Sequence, residues 1–304
     1  MIACLISVLF AAGAALAQGV DIQAACNIDS EFKGTKHPRL DRLKATVANN
    51  RINCSAAFVT FKGRSGSAAG LVLGAGHCSG MGKLRINLST MTLTTPDAGE
   101  VLYRVSDRQT LTLDTGNGEA PRTCVESDEI IYGTMTDADL VLLRLVETYD
   151  QIERRTGVKP FLISQDAEFP TGLDVRLPSS LFQDDRECRV DTAVERLKEH
   201  RWLWGPVLRL RLSPDCDIPH GLSGAPVLRV DTNEVIGVVG TGSDANAAPC
   251  ELNNPCEIGK DGSTIAAKPK QGYAHFVHKF YTCLDAARNL DLGTPGCLLA
   301  KPQP

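Results

Sequence analysis

Aromatic side chains make up only 5% of this 304-residue chain, too few to pave a stacking platform for single-stranded nucleic acid. No long run of one charge sign occurs, and 32 basic residues against 36 acidic ones leave a formal net charge of −4. That balance argues against a dedicated nucleic-acid or anionic-membrane binder. No C-x-x-C pair is present, and the nearest cysteines are Cys250 and Cys256, so zinc is the weaker reading of the cysteines. Low-complexity tracts and internal repeats are missing as well. With 43% hydrophobic and 22% charged residues, the usage is that of a globular chain, not of a disordered or coiled-coil one. Past residue 17 no segment is long and apolar enough to cross a bilayer.

What is present begins with residues 1–17 (MIACLISVLFAAGAALA), an uncharged apolar stretch ending in Ala15-Leu16-Ala17. It reads as a secretory signal with an A-x-A cleavage site before Gln18. The start carries no Lys or Arg, and a retained N-terminal anchor is the alternative. Cleavage removes Cys4 and leaves ten cysteines, an even number that fits an oxidising compartment. The expectation is a secreted protein, periplasmic or extracellular, with no membrane attachment after cleavage.

Residues 18–50 are mixed and polar and read as an N-terminal extension. From Cys54 onward short apolar segments follow at close spacing. CSAAFVTF and SAAGLVLGAG read as two strands joined by the turn at Lys62-Gly63-Arg64. Leu111-Thr112-Leu113 and the stretch Leu208-Arg209-Leu210-Arg211-Leu212 alternate with period two, which sets one face in a core and the other in water. PVLRV and VIGVVG read as a second hairpin. DLVLLRLVETYDQIERR is ambiguous between strand and helix. One helix is expected near the C-terminus, over residues 276–290. Many short strands and turns point to an all-β sandwich or barrel pair, with a crossover at Gly157-Val158-Lys159-Pro160.

Three stretches carry residues with chemical potential. In Gly74-Ala75-Gly76-His77-Cys78 a histidine ends an apolar strand among small residues. Asp139 opens the run Leu140-Val141-Leu142-Leu143, where an acid is ordinarily a strand-start or capping residue. In Gly221-Leu222-Ser223-Gly224-Ala225-Pro226-Val227 a serine flanked by glycines sits on a tight turn. The amides of Gly221 and Ser223 are candidates to hold a developing oxyanion. Serine needs an adjacent base, histidine takes its proton, and a buried carboxylate fixes the imidazole tautomer. His77, Asp139 and Ser223 supply these roles in the order His, Asp, Ser, unlike the nucleophile-first α/β-hydrolases with G-x-S-x-G. Asp137 is the runner-up for the acid.

Taken together, these stretches resemble the chymotrypsin-like (trypsin-like) serine peptidases. GAGHC is similar to the A-G-H-C motif, DLVLLRL to D-[IL]-[AV]-L-L, and GLSGAPV to G-D-S-G-G-P-[LV]. The run Cys216-Asp217-Ile218-Pro219-His220-Gly221-Leu222-Ser223 resembles the C-D-T-x-x-G-x-S-G form of bacterial members. The likeness spans roughly residues 54–290. It implies two antiparallel β-barrels with a C-terminal helix: residues 51–157 carrying His and Asp, residues 158–290 carrying Ser, and 291–304 as a tail. It implies peptide-bond hydrolysis of a peptide or protein substrate by a monomer, with no metal or organic cofactor. It further implies bridges Cys54–Cys78 and Cys188–Cys216. Cys26–Cys124, Cys250–Cys256 and Cys283–Cys297 follow by elimination and proximity.

Leu222 stands where activated family members keep an aspartate for the new N-terminus, which argues against zymogen activation of that kind. For substrate binding the resemblance points to Asp217, His220, Gly240 and Gly242. Asp217 is either the floor of a pocket for Lys or Arg, or a residue tied to its own backbone element. Val239 replaces the histidine of the glutamate-specific branch. His275 and His278 are read as structural. A silent peptidase fold kept for binding and an esterase on the same residues are the rival functions, with a metalloenzyme more distant.

Overall fold

The computed structural model describes residues 40–49, 53–79, 85–87, 92–94, 99–116, 122–211, 216–244 and 246–303. The leader-like stretch and Cys26 lie outside them. The chain is mostly β. In the N-terminal half the strands are β1 (Thr46–Asn49), β2 (Cys54–Thr60), β3 (Ala69–Gly74), β4 (Arg85–Asn87), β5 (Thr92–Thr94), β6 (Val101–Asp114), β7 (Arg122–Thr134) and β8 (Leu140–Thr148). A helix, α1 (Tyr149–Thr156), and the short β9 (Phe161–Leu162) follow. Seven strands form one sheet in the order β1-β6-β7-β8-β3-β2-β9, and β1 also pairs with β2, Thr46 opposite Ala57. The sheet thus recruits Thr46–Asn49 from the polar segment ahead of Cys54, and Val47 and Ala48 are fully buried there.

The ambiguous segment resolves into strand followed by helix. Leu140, Val141, Leu142 and Leu143 are all buried in β8. Thr148 then caps α1, accepting from the Gln151 amide while the Gln151 side chain accepts from the Thr148 amide. Gly157, in the left-handed conformation at φ 67°, ends it. α1 is the one α-helix among the described residues.

In the C-terminal half, β10 (Asp174–Ser179), β11 (Asp184–Val194), β14 (Val207–Leu210), β15 (Pro226–Arg229), β16 (Val235–Gly242) and β19 (Gly272–Phe276) close a six-stranded barrel in the order β10-β11-β14-β19-β16-β15. A separate sheet joins β12 (Arg196–Glu199), β13 (Trp202–Trp204), β17 (Cys256–Ile258) and β18 (Thr264–Ala266) in the order β13-β12-β17-β18. One apolar cluster fills the N-terminal sheet around Phe58, Leu73, Leu113 and Leu142, and a second fills the barrel around Leu177, Val190, Leu210 and Val239.

Period-two alternation holds in β14, where Leu208 and Leu210 are buried and Arg209 reaches out to Asp191 and Glu257. It does not hold for Leu111-Thr112-Leu113, because Thr112, opposite Ala48 and Cys124, is covered too at 1% exposure. The expected C-terminal helix over 276–290 is also corrected. His278–Cys283 is a short 3-10 turn, and the chain then reverses so that Leu284 bridges Leu290. Asp285, whose carboxylate accepts the Asn289 amide, closes that loop, and the Cys283–Cys297 disulfide pins it. Cys54–Cys78, Cys188–Cys216 and Cys250–Cys256 are bonded as expected. Cys124 is disulfide-bonded as well, while its expected partner Cys26 lies outside the described residues.

Phe58 is fully buried in the first core and stacks obliquely on Tyr149, ring centroids 5.5 Å apart. Phe58→Ala is expected to cost about 3–5 kcal/mol, read as a lower urea midpoint at unchanged slope.

Candidate active site

His77 lies in a 3-10 turn (Gly76–Ser79) directly after β3. The turn packs so closely on the strand end of β7 that a Cβ on Gly76 would fall 2.2 Å from the Thr134 carbonyl oxygen. The tight approach lets Asp139 use both carboxylate oxygens on one residue. Oδ1 accepts the His77 backbone amide at 2.8 Å, and Oδ2 stands 2.6 Å from His77 Nδ1. Asp139 is 1% exposed. Burial alone would push its carboxyl up, but the His77 charge and hydrogen bonds hold it below the usual carboxylate range. Burial likewise opposes charge on His77, yet Asp139 raises the imidazole above its ordinary value. Asp137, the alternative acid, is exposed at φ 61° and its carbonyl accepts from the Gly205 amide.

The turn bearing Ser223 depends on two glycines in left-handed conformations, Gly221 at φ 95° and Gly224 at φ 87°. A Cβ on Gly224 would lie 1.9 Å from the Ser55 carbonyl oxygen. Ser55, buried at the start of β2, holds this turn from the other half. Its amide donates to the Ser223 carbonyl at 2.9 Å, and its hydroxyl donates to the Gly221 carbonyl at 3.0 Å. Among the described residues neither the Gly221 nor the Ser223 amide donates to a backbone carbonyl. The Ser223 hydroxyl itself donates to the Gly240 carbonyl at 3.4 Å.

His77, Asp139, Gly221 and Ser223 line one cavity of about 830 Å³, together with His220, Gly240 and Gly242. Asp217 does not line it. That carboxylate pairs with Arg186, which also donates to the Asp217 carbonyl at 3.2 Å. Ile218 takes the wall instead, its side chain lodged against Gly242 and Gly272.

Three contributors escape a reading by motif: Ser55, His275 and Glu199, the last 3% exposed and lining the cavity. His275 in β19 is fully buried, and burial pulls its imidazole down to about 4, so it stays neutral at physiological pH. It packs edge-on against Trp204 at 5.1 Å between ring centroids. Gly240 is an extra residue in β16, a bulge between Val239 and Thr241. A Cβ there would fall 2.3 Å from His275 Nε2 and 3.6 Å from Asp139 Oδ2. His275 thus backs the carboxylate, and Gly240 is the space between them. His278 lies in the terminal 3-10 turn, away from the cavity. Cys54, His77 and Cys78 gather ligand atoms within 4.8 Å, but the two sulfurs are joined in a disulfide and offer no thiolate to a metal.

No family model matches the chain, and no curated protein matches it. Solved structures do. The MamO protease domain from Magnetospirillum magneticum is 12% identical, with 80% of this chain and 97% of that chain covered at a TM-score of 0.45. Neuropsin, a serine protease of mouse brain, is 15% identical over 79% and 92%, with a TM-score of 0.43. Human heparin binding protein is 13% identical over 80% and 89%, with a TM-score of 0.44. What the site can do follows from its own residues.

Gly224 and Gly157 separate the site's packing from backbone strain alone. Gly157→Ala places a Cβ in open space at φ 67° and is expected to cost about 1–2 kcal/mol. Gly224→Ala adds the clash with Ser55 and is expected to cost at least about 2 kcal/mol more, read as a further fall in the denaturation midpoint. Equal losses would contradict the close approach.

Proposed function

We propose that this chain is a secreted serine endopeptidase of the chymotrypsin type, hydrolysing peptide bonds through an acyl-enzyme on Ser223. The observation that carries the reading is the 2.6 Å pair of half-buried His77 and buried Asp139, opening into the cavity that Ser223 lines. In the proposed reaction the Ser223 oxygen attacks the scissile carbonyl carbon while His77 Nε2 takes the hydroxyl proton. The resulting imidazolium keeps its Nδ1 proton and donates it in a hydrogen bond to Asp139, which stays ionised. The carbonyl oxygen becomes an oxyanion between the Gly221 and Ser223 amides. His77 then gives its proton to the departing amine as the C–N bond breaks. Water then attacks the ester carbon as His77 takes its proton, and His77 returns that proton to the Ser223 oxygen as the ester C–O bond breaks, which releases the acid and restores Ser223.

The substrate would lie along His220, Gly240 and Gly242, whose backbone or ring reaches the same cavity. The fold proposed with this activity is a pair of barrels, joined near the Gly157 end of α1. The β1–β2 pairing supports it, since it links the two ends of the six-strand run β1-β6-β7-β8-β3-β2. The disulfides support export to an oxidising compartment.

A second reading has one specific observation behind it. The Ser223 hydroxyl is turned to the Gly240 carbonyl, as in a fold retained for binding alone. A fluorophosphonate separates the two. On the proposed reading it adds a single phosphonyl group at Ser223, mapped by peptide mass, and His77→Ala abolishes the adduct. The rate should fall at low pH as His77 gains its proton. Because Asp139 raises His77, the midpoint should lie above about 6.5, the value for free imidazole. A folded, oxidised protein that takes no label contradicts the reading.

A further inference from the structure

The turn between β10 and β11, residues 180–183, forms the cavity wall at Leu181 and Phe182. Both side chains press on Gly221: a Cβ there would lie 3.1 Å from Leu181 Cδ2 and 3.2 Å from Phe182 Cζ. Two groups from the N-terminal half hold this turn. At its base the Ser179 hydroxyl meets the Ser55 hydroxyl at 2.7 Å and accepts the Phe182 amide at 3.2 Å. The second hold is charged. Arg122, which opens β7, donates from Nη2 to the Ser180 carbonyl. Opposite Arg122 in the register stands Asp114, the last residue of β6. Asp114 is fully buried; its Oδ1 accepts the Gly116 amide at 3.1 Å, and its Oδ2 lies 3.8 Å from Arg122 Nε. Neither Asp114 nor Arg122 lines the cavity.

A buried carboxylate and a buried guanidinium each need the other's charge. Among the described residues the groups that face the Asp114 carboxyl are the Arg122 guanidinium from β7, the Ser180 hydroxyl from the turn and the Gly116 amide from its own loop, and Arg122 alone is charged. Burial outweighs them and pushes the carboxyl up to about 6. Burial likewise opposes the charge on Arg122, which Asp114 supports in return. Once Asp114 takes a proton, Arg122 is left as a covered cation without a counter-charge. Its side chain is 22% exposed, so it has solvent to turn toward, and the Ser180 carbonyl then loses its donor. We propose that Arg122, with Asp114 as its counter-ion, is a positioning residue that seats the 180–183 turn against Gly221, and that protonation of Asp114 unseats it. The consequence for rate rests on the proposed peptidase reading, in which the Gly221 amide binds the oxyanion; the seating does not.

The test follows the Leu181 and Phe182 backbone amides of the ¹⁵N-labelled protein by nuclear magnetic resonance, from mildly acid to neutral pH. Both should shift with a midpoint of about 6, and the step should vanish in Asp114→Asn while the titration of His77 remains. Arg122→Gln removes the charge that favours ionised Asp114, so the Asp114 carboxyl carbon should titrate at higher pH than in the unmutated protein. At neutral pH Asp114→Asn and Arg122→Gln should each slow fluorophosphonate labelling of Ser223 about tenfold, part of the roughly 10²–10³ that a lost oxyanion donor costs. Amides that stay fixed over this range, or that shift alike in Asp114→Asn, overturn the proposal, as do labelling rates in both variants equal to that of the unmutated protein. Failure of the unmutated protein to label at all would count against the peptidase reading alone, since the amide shifts need no chemistry at Ser223.

Discussion

The rest of the site depends on keeping one carboxylate charged inside the protein. Asp139 is 1% exposed, and an ion there is tolerated only if both oxygens are answered. His77 answers both, through its backbone amide and its ring. That double contact holds the imidazole in one orientation and requires the chain at Gly76 to press against β7. It also explains why the neighbourhood is made of glycine, alanine and a disulfide. Larger residues at Gly76 or Gly240 would enter the space that the carboxylate, the Thr134 carbonyl and His275 already fill.

The second requirement is to bring a loop from the other half onto this pair. Ser55 does so through its backbone and its hydroxyl, which also lies 2.7 Å from the Ser179 hydroxyl in β10. Ser55 is adjacent to Cys54, and Cys54 is tied to Cys78 beside the histidine. One short stretch of β2 therefore anchors both the His77 turn and the serine turn. The serine turn in turn leaves the Gly221 and Ser223 amides without a backbone acceptor among the described residues.

Much of this site is legible in the sequence because its chemistry is local. His77, Asp139 and Ser223 each sit in a short motif whose small residues announce a tight turn, and the β15–β16 hairpin has its turn residues in place. The capping pair Thr148 and Gln151 is likewise a four-residue signal that settles where β8 stops. What sequence spacing does not carry is contact across the fold. Arg186 lies 31 residues from Asp217, and nothing near either position announces the pair. Ser55 meets Ser179 across 124 residues. Glu199 left a trace, since RLKE and WLW place it in the parity of Leu197 and the two tryptophans. The helical look of residues 276–290 misleads because a disulfide and the Asp285 turn override local propensity. Thr112 misleads because coverage of the second face is a tertiary fact.

The most direct test of the account is nuclear magnetic resonance of the protein with ¹⁵N-labelled histidine. It predicts a strongly deshielded proton on His77 Nδ1, slow to exchange with water, present in the unmutated protein and in Asp137→Asn but lost in Asp139→Asn. A His77 ring proton that exchanges like that of an exposed imidazole, or that survives Asp139→Asn, would contradict it.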